Sequence, residues 1–230
     1  MKTIGLLGGM SWESSSEYYR LMNQEVARRL GGLHSAQIAM YSLEFAPVEQ
    51  AMGRDDWSFV AAAGINAALS IEKSGADFLV MATNTLHKCA PEIEKSISIP
   101  LLHIADPTAL AIRSAGFKKI GLLGTRFTME QDFYTGRLSS KWGLNVLIPN
   151  PSDCQLVNRV IFDELCKSRI RPESKREYQR IISELASSGA EAVILGCTEI
   201  MLLVKQQDAS VPLFDTTELH CKAAVDRALE

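Results

Sequence analysis

The chain has 230 residues, enough for one large domain or two of about 115, each able to bury a core of its own. A hydrophobic share of 47% with 22% charged residues excludes a disordered or fibrous class, and no apolar run approaches the ~18 residues that a membrane span needs. The formal charge of −3 gives no electrostatic reason to expect nucleic acid or an anionic membrane, so an anionic ligand would have to be held by a few local cations.

Thr3–Gly8 reads as a buried parallel strand, followed by an amphipathic helix from Ser11 to about Leu30 that Gly31-Gly32 ends. Ala36–Leu43 predicts a second strand, Trp57–Ser74 an Ala-rich helix closed by Gly75, and Asp77–Ala82 a third strand. A helix from about Leu86 to Lys95 and a short strand at Leu101–Ile104 complete the first half. The second half repeats the alternation: strand Lys119–Gly124, a helix opened by a capping box at Thr128-Met129-Glu130-Gln131, and strand Leu144–Ile148. Helices at Ser152–Lys167 and Pro172–Ser188, strands at Glu191–Leu195 and Pro212–Phe214, and a closing helix follow. Strands alternating with helices predict an α/β fold of parallel sheets covered on both faces.

The halves also match residue for residue. Gly75–Thr85 (GADFLVMATNT) is echoed by Gly189–Glu199 (GAEAVILGCTE), which puts Thr83 opposite Cys197. Ile4–Gly8 (IGLLG) returns intact as Ile120–Gly124, and Ile99–Leu102 is echoed by Val211–Phe214. These landmarks recur in order at offsets of 116, 114 and 112 residues, which chance likeness between strands rarely preserves. The expectation is two similar doubly wound domains related by a pseudo-twofold axis, residues 1–104 plus 212–230 and residues 105–211, with Thr83 and Cys197 facing one cleft. In such folds ligands bind outside the carboxyl ends of the strands, where the loops 8–14, 83–85, 124–128 and 197–199 all fall.

Five cysteines, odd in number, scattered and without a CxxC pair, make neither a disulfide framework nor a zinc site. No HxxH pair or carboxylate cluster suggests a metal. The N-terminus runs from Met1-Lys2-Thr3 straight into a strand, without the pattern of a cleaved leader, so a cytoplasmic location is expected.

Gly8-Gly9-Met10-Ser11 lacks the GxGxxG spacing of a dinucleotide turn and the lysine of a Walker loop. Its glycines serve a tight strand-to-helix turn as readily as a ligand, while Met10 and Ser11 at the tip offer helix-start N–H groups suited to a carboxylate. Cys197 sits in a polar turn before what reads as a helix start, a setting that lowers a thiol pKa. Cys154, Cys166 and Cys221 read as packing residues, and Cys89 as pointing away from the strand ends. Thr83-Asn84-Thr85 supplies hydroxyls, an amide and N–H groups suited to a carboxylate or an enolate-like charge; N-capping accounts for Thr85 equally well. His87 and His103 read as core or rim residues.

Thr-Asn-Thr-x-His at 83–87, Gly-Cys-Thr-Glu at 196–199, Gly-Gly-Met at 8–10 and the duplicated layout closely resemble the cofactor-independent aspartate/glutamate racemases over essentially the whole chain. The resemblance implies an isomerase that holds a small acidic amino acid between two domains and uses two opposed cysteines, one per half, as acid and base. It needs no cofactor, metal, nucleic acid or membrane, and a homodimer is one option for its assembly. Cys197 is the second-half cysteine by this resemblance. The first-half position, usually cysteine, is Thr83, whose hydroxyl cannot rest as an anionic base near neutral pH yet can return a proton to a carbanion. Substrate contacts carried over are Met10, Asn84, Thr85, Thr198 and Glu199, with Lys167 for the side-chain carboxylate, Met52 in a substrate loop and Arg54 as a carboxylate clamp. Two other readings stand beside it: a decarboxylase of malonate-like acids that uses only the second-half thiol, and an amino-acid-binding module without catalysis.

Overall fold

A computed structural model describes residues 1–230, which divide into two compact units, residues 1–104 with 220–230 and residues 105–219. Unit 1 runs β1 (Ile4–Gly8), α1 (Trp12–Leu30), β2 (Ile38–Ser42), α2 (Phe45–Gly53), α3 (Trp57–Lys73), β3 (Phe78–Met81), a 3-10 turn at Thr85–Cys89, α4 (Ala90–Ser96) and β4 (Leu101–Leu102). Unit 2 runs α5 (Ala105–Ser114), β5 (Lys119–Gly124), α6 (Arg126–Glu130), α7 (Asp132–Ser140), β6 (Asn145–Leu147) and α8 (Pro151–Asp163). It continues through a 3-10 turn at Leu165–Lys167, α9 (Pro172–Ser187), β7 (Ala192–Gly196), α10 (Ile200–Leu203) and β8 (Leu213–Asp215), and α11 (Thr216–Leu229) crosses back to unit 1.

Each unit holds a four-stranded, all-parallel sheet, ordered β2-β1-β3-β4 in one and β6-β5-β7-β8 in the other, so the duplication read from the residues extends to topology. β1, β3 and β7 are buried along their whole length, as sheets covered by helices on both faces require. In unit 1 the apolar face of α1 (Tyr18, Met22, Val26) packs with Ile4, Leu6, Phe78 and Val80 and with Cys221, Ala224, Val225 and Ala228 of α11. In unit 2, Asp106 in the first turn of α5 receives Arg137 through two bonds of 2.8 and 2.7 Å, with Lys141 and Trp142 adding one each, which ties α5 to the end of α7. Burial opposes ionisation of Asp106, and these donors outweigh it, holding the carboxyl well below the usual range. No helix is long and apolar enough to cross a membrane.

Several expected boundaries move. The strand expected at 212–214 in the first domain instead belongs to unit 2, where β8 pairs in parallel with β7, and the units divide between Leu219 and His220. The helix after β5 is capped by Thr125, whose side chain accepts from Thr128 N–H; Thr128 lies inside it, so no capping box starts there. The expected helices at 86–95 and 152–167 each divide into an α-helix and a 3-10 turn, and α2 and α5 were not expected.

Gly9 shows why the turn after β1 needs glycine: its φ is +93°, and a Cβ there would lie 2.1 Å from the Leu43 carbonyl oxygen. That oxygen and the Leu43 nitrogen, 2.3 Å from the same point, are backbone atoms that cannot swing aside, so Gly9→Ala should lower stability by about 2 kcal/mol or more, read as a reduced urea midpoint at unchanged m-value.

Candidate active site

Both sheets reverse their direction of winding between their two central strands, β1 and β3 in unit 1 and β5 and β7 in unit 2. In a doubly wound sheet this is where a crevice opens at the carboxyl ends. Leu7 pairs with Met81 and Gly124 with Gly196, so neighbouring strands stop level and release their loops side by side. Met10 and Thr83 therefore leave one edge of the first sheet, and Thr125 and Cys197 the equivalent edge of the second.

In unit 1, Ser15 of α1 accepts the Gly9 N–H at 2.7 Å and returns its hydroxyl proton to the Ser11 carbonyl at 2.9 Å. A Cβ at Gly8 would lie 2.3 Å from that same Ser15 oxygen, so both glycines have structural work in this turn. Met10 and Ser11 are buried rather than at an exposed tip, and the Ser11 hydroxyl caps α1 by accepting from Ser14 N–H. Thr83, Asn84 and Thr85 are also buried. Asn84 precedes the 3-10 turn without capping it through its side chain, and Thr85 lies inside that turn, so N-capping does not explain either residue. The Thr83 carbonyl is held by His87 Nδ1 at 2.8 Å, so His87 is built into this turn, a link that no spacing in the sequence announced. Met52 is buried in the last turn of α2, and Arg54, the residue after α2, is exposed.

In unit 2, Cys197, Thr198 and Glu199 are buried together after β7. The Cys197 thiol donates to Glu199 Oε2 at 2.9 Å and the Thr198 hydroxyl donates to the same oxygen at 2.8 Å. Cys166, from the 3-10 turn after α8, donates to Oε1 at 3.8 Å, so a residue expected only to pack shares the Glu199 carboxylate with Cys197. Burial pushes the Cys197 thiol well above the ordinary cysteine range, and the charges of Glu199 and Cys166 push it further. The expected lowering by a helix start does not occur: α10 begins three residues later, spans four residues, and cannot outweigh a carboxylate in contact with the sulfur. Lys167 is exposed and pairs with Asp163 at 3.6 Å. Cys89 and Cys154 are buried, with thiols pushed up to about 11, chiefly by burial.

Each unit thus presents, at its switch point, one small polar side chain on a fixed turn: a hydroxyl in the first and a thiol in contact with a carboxylate in the second. Residues 7–224 match the family described as Asp/Glu/Hydantoin racemase. The chain is 25% identical to the broad specificity amino-acid racemase RacX of Bacillus subtilis over 98% of both proteins. Among solved structures, a candidate Asp/Glu racemase from Yersinia pestis has 52% identity and a TM-score of 0.93, with both chains fully covered. An aspartate racemase homologue from Pyrococcus horikoshii has 35% identity and a TM-score of 0.84, again over the whole of both chains. The protein belongs to the Asp/Glu/hydantoin racemase family and is an isomerase.

The thiol–carboxylate contact has a measurable signature. Alkylation of Cys197 by iodoacetamide, followed by mass spectrometry, should be slow at neutral pH and keep rising above about pH 9, because the thiolate is the reactive form. Glu199→Gln removes the adjacent negative charge and should speed labelling at a fixed pH; a rate that levels off near neutrality in the parent would show a resting thiolate instead.

Proposed function

We propose that the protein racemises acidic amino acids, aspartate or glutamate, without a cofactor, using Cys197 and Thr83 on opposite faces of Cα. The observation that carries this reading is the Cys197–Glu199 contact, which gives the thiol a base at hydrogen-bond distance. A buried thiol with a raised pKa is a poor base at neutral pH. Transfer of its proton to Glu199 Oε2 creates the thiolate only when it is needed, without placing a second net charge in the site. The thiolate then removes the α-proton, Asn84, Thr85 and nearby N–H groups stabilise the enolate-like charge, and the Thr83 hydroxyl delivers a proton to the other face, to be replaced from water.

The substrate contacts are Met10, Met52, Asn84, Thr85 and Thr198, with Arg54 and Lys167 as cations for the carboxylates. Both cations are exposed, so their part requires side-chain reorientation, and Lys167 would exchange Asp163 for the ligand. Glu199 cannot lie against a substrate carboxylate without repulsion; it suits the α-ammonium group and the thiol proton. The setting is cytoplasmic, and assembly as a homodimer belongs to this proposal.

The Thr/Cys pair makes the two directions unequal in a restricted way. Enantiomers have equal free energies, so kcat/KM must be the same in both directions. The difference can appear only in kcat and KM separately, with the lower kcat where Thr83 must act as base. In D₂O, aspartate or glutamate should acquire deuterium at Cα, and Cys197→Ala should lower this by about a thousandfold or more. Parent protein that leaves Cα unlabelled in all four enantiomers would sink the proposal. Glu199→Gln should slow turnover by roughly 10²–10⁴-fold although it speeds alkylation, and Thr83→Cys should bring the two kcat values closer together.

A second reading draws on the same neutral thiol. A buried, protonated Cys197 is also the acid that would quench an enolate after loss of CO₂ from a malonate-like substrate. CO₂ release from a disubstituted malonate, without α-proton exchange on amino acids, would favour it.

A further inference from the structure

We propose that His87 is a positioning residue for the Thr83 hydroxyl, holding the Thr83 carbonyl through Nδ1–H while its Nε2 accepts the Ile104 N–H. This rests on the racemase reading above and adds to it the device that aims one of its two proton-transfer groups.

β3 ends at Met81, and its last bond to β1 is Ala82 N–H to the Leu7 carbonyl at 2.8 Å. The next two carbonyls, of Ala82 and Thr83, lie past the ladder and need other partners. The Ser14 hydroxyl, from the first turn of α1, takes the Ala82 carbonyl at 2.7 Å, and His87 Nδ1 takes the Thr83 carbonyl at 2.8 Å. These two carbonyls belong to the peptide planes on either side of Thr83. Because each plane is rigid, pinning both fixes φ and ψ of Thr83 together. Neither bond uses the Thr83 hydroxyl.

The tautomer of His87 follows from its second bond. Ile104 N–H, at the end of the first segment of unit 1, can only donate, and it meets Nε2 at 3.2 Å. Nε2 is therefore the bare nitrogen and Nδ1 carries the hydrogen, as the Thr83 carbonyl requires. The ring is 1% exposed and packs against His103 with centroids 4.4 Å apart, so it has little room to turn.

The second unit lacks this clamp. The Cys197 carbonyl accepts from Ile200 N–H at 3.1 Å within its own turn, and the residue 114 positions after His87 is Met201, which has no N–H in its side chain. A threonine hydroxyl sits one bond beyond Cβ, so the backbone and one torsion set its whole reach, and displacement by about 1 Å can cost 10²-fold in rate.

Two substitutions separate the two nitrogens. His87→Asn keeps an N–H near the place of Nδ1 and loses the acceptor; His87→Gln puts an acceptor near the place of Nε2 and loses the donor to Thr83. With L- and D-aspartate and glutamate as substrates, His87→Asn should hold kcat within about threefold of the parent. His87→Gln should lose about tenfold or more in kcat, with KM changed much less. Equal losses in the two variants, or parent kcat in both, would overturn the proposal by reducing the ring to packing. If His87→Gln fails to fold, or the parent shows no exchange, ¹⁵N NMR of histidine-labelled parent protein decides. A protonated Nδ1 and bare Nε2 support the clamp, and the opposite tautomer or an imidazolium overturns it. Absence of Cα exchange in the parent counts against the racemase reading alone.

Discussion

A parallel strand covered by helices on both faces has only its ends to offer to a ligand, and the polar turns that hold Thr83 and Cys197 follow from that constraint. β1, β3 and β7, and β5 after Lys119, are apolar until they stop, and the residues that follow must satisfy the backbone groups the ladder no longer serves. The protein meets that need with short side chains from nearby turns. Ser15 accepts from Gly9, Ser14 binds the Ala82 carbonyl, and Thr216 at the start of α11 donates to the Leu195 carbonyl at 2.9 Å. The turns are held by the same groups that let the strands end, and so are fixed before any ligand arrives.

Within that common plan the two units solve the problem with different chemistry. After β3 an imidazole and a hydroxyl hold the backbone, and the residue on display is Thr83. After β7 the hydrogen bonding is concentrated on the side chains, with Cys197 and Thr198 both donating to Glu199. Burial alone would leave the thiol inert, and a neighbouring negative charge makes the thiolate still less favourable at rest. In the proposed mechanism a group that raises the thiol pKa is also the one that receives its proton. Burial is the larger cause of the raised thiol pKa and the Glu199 carboxylate adds to it.

The central strands were legible because buried parallel strands are uninterrupted apolar runs, and α1 because its inward residues recur with helical spacing after a serine cap. α2 was missed because Pro47 lies near its start and Glu44 offers no side-chain cap, so neither composition nor capping marks it. The edge membership of β8 was misread because pairing is not a local property: the three residues of this strand look alike beside either sheet. At the site, the matching places of Thr83 and Cys197 just past the ends of β3 and β7 were visible from the repeat. The state of the thiol was not, since it depends on the direction of the Glu199 side chain and on Cys166, far away in sequence. His87 escaped for a similar reason, because its two partners lie 4 residues before it and 17 after it, the second beyond α4 and β4.

The crossing of α11 from one unit to the other bears on how the chain can be made. Unit 2 is continuous in sequence, whereas unit 1 is assembled from two segments separated by all of unit 2. The core around Tyr18, Met22, Phe78 and Val80 includes Cys221, Ala224, Val225 and Ala228, and His220 bridges the Tyr18 hydroxyl and the Leu102 carbonyl. During synthesis, residues 1–104 must therefore wait with an incomplete apolar face while unit 2, whose parts are contiguous, emerges and closes. The Thr83 half of the protein is encoded first and finished last, and the Cys197 half is encoded second and can be complete before it.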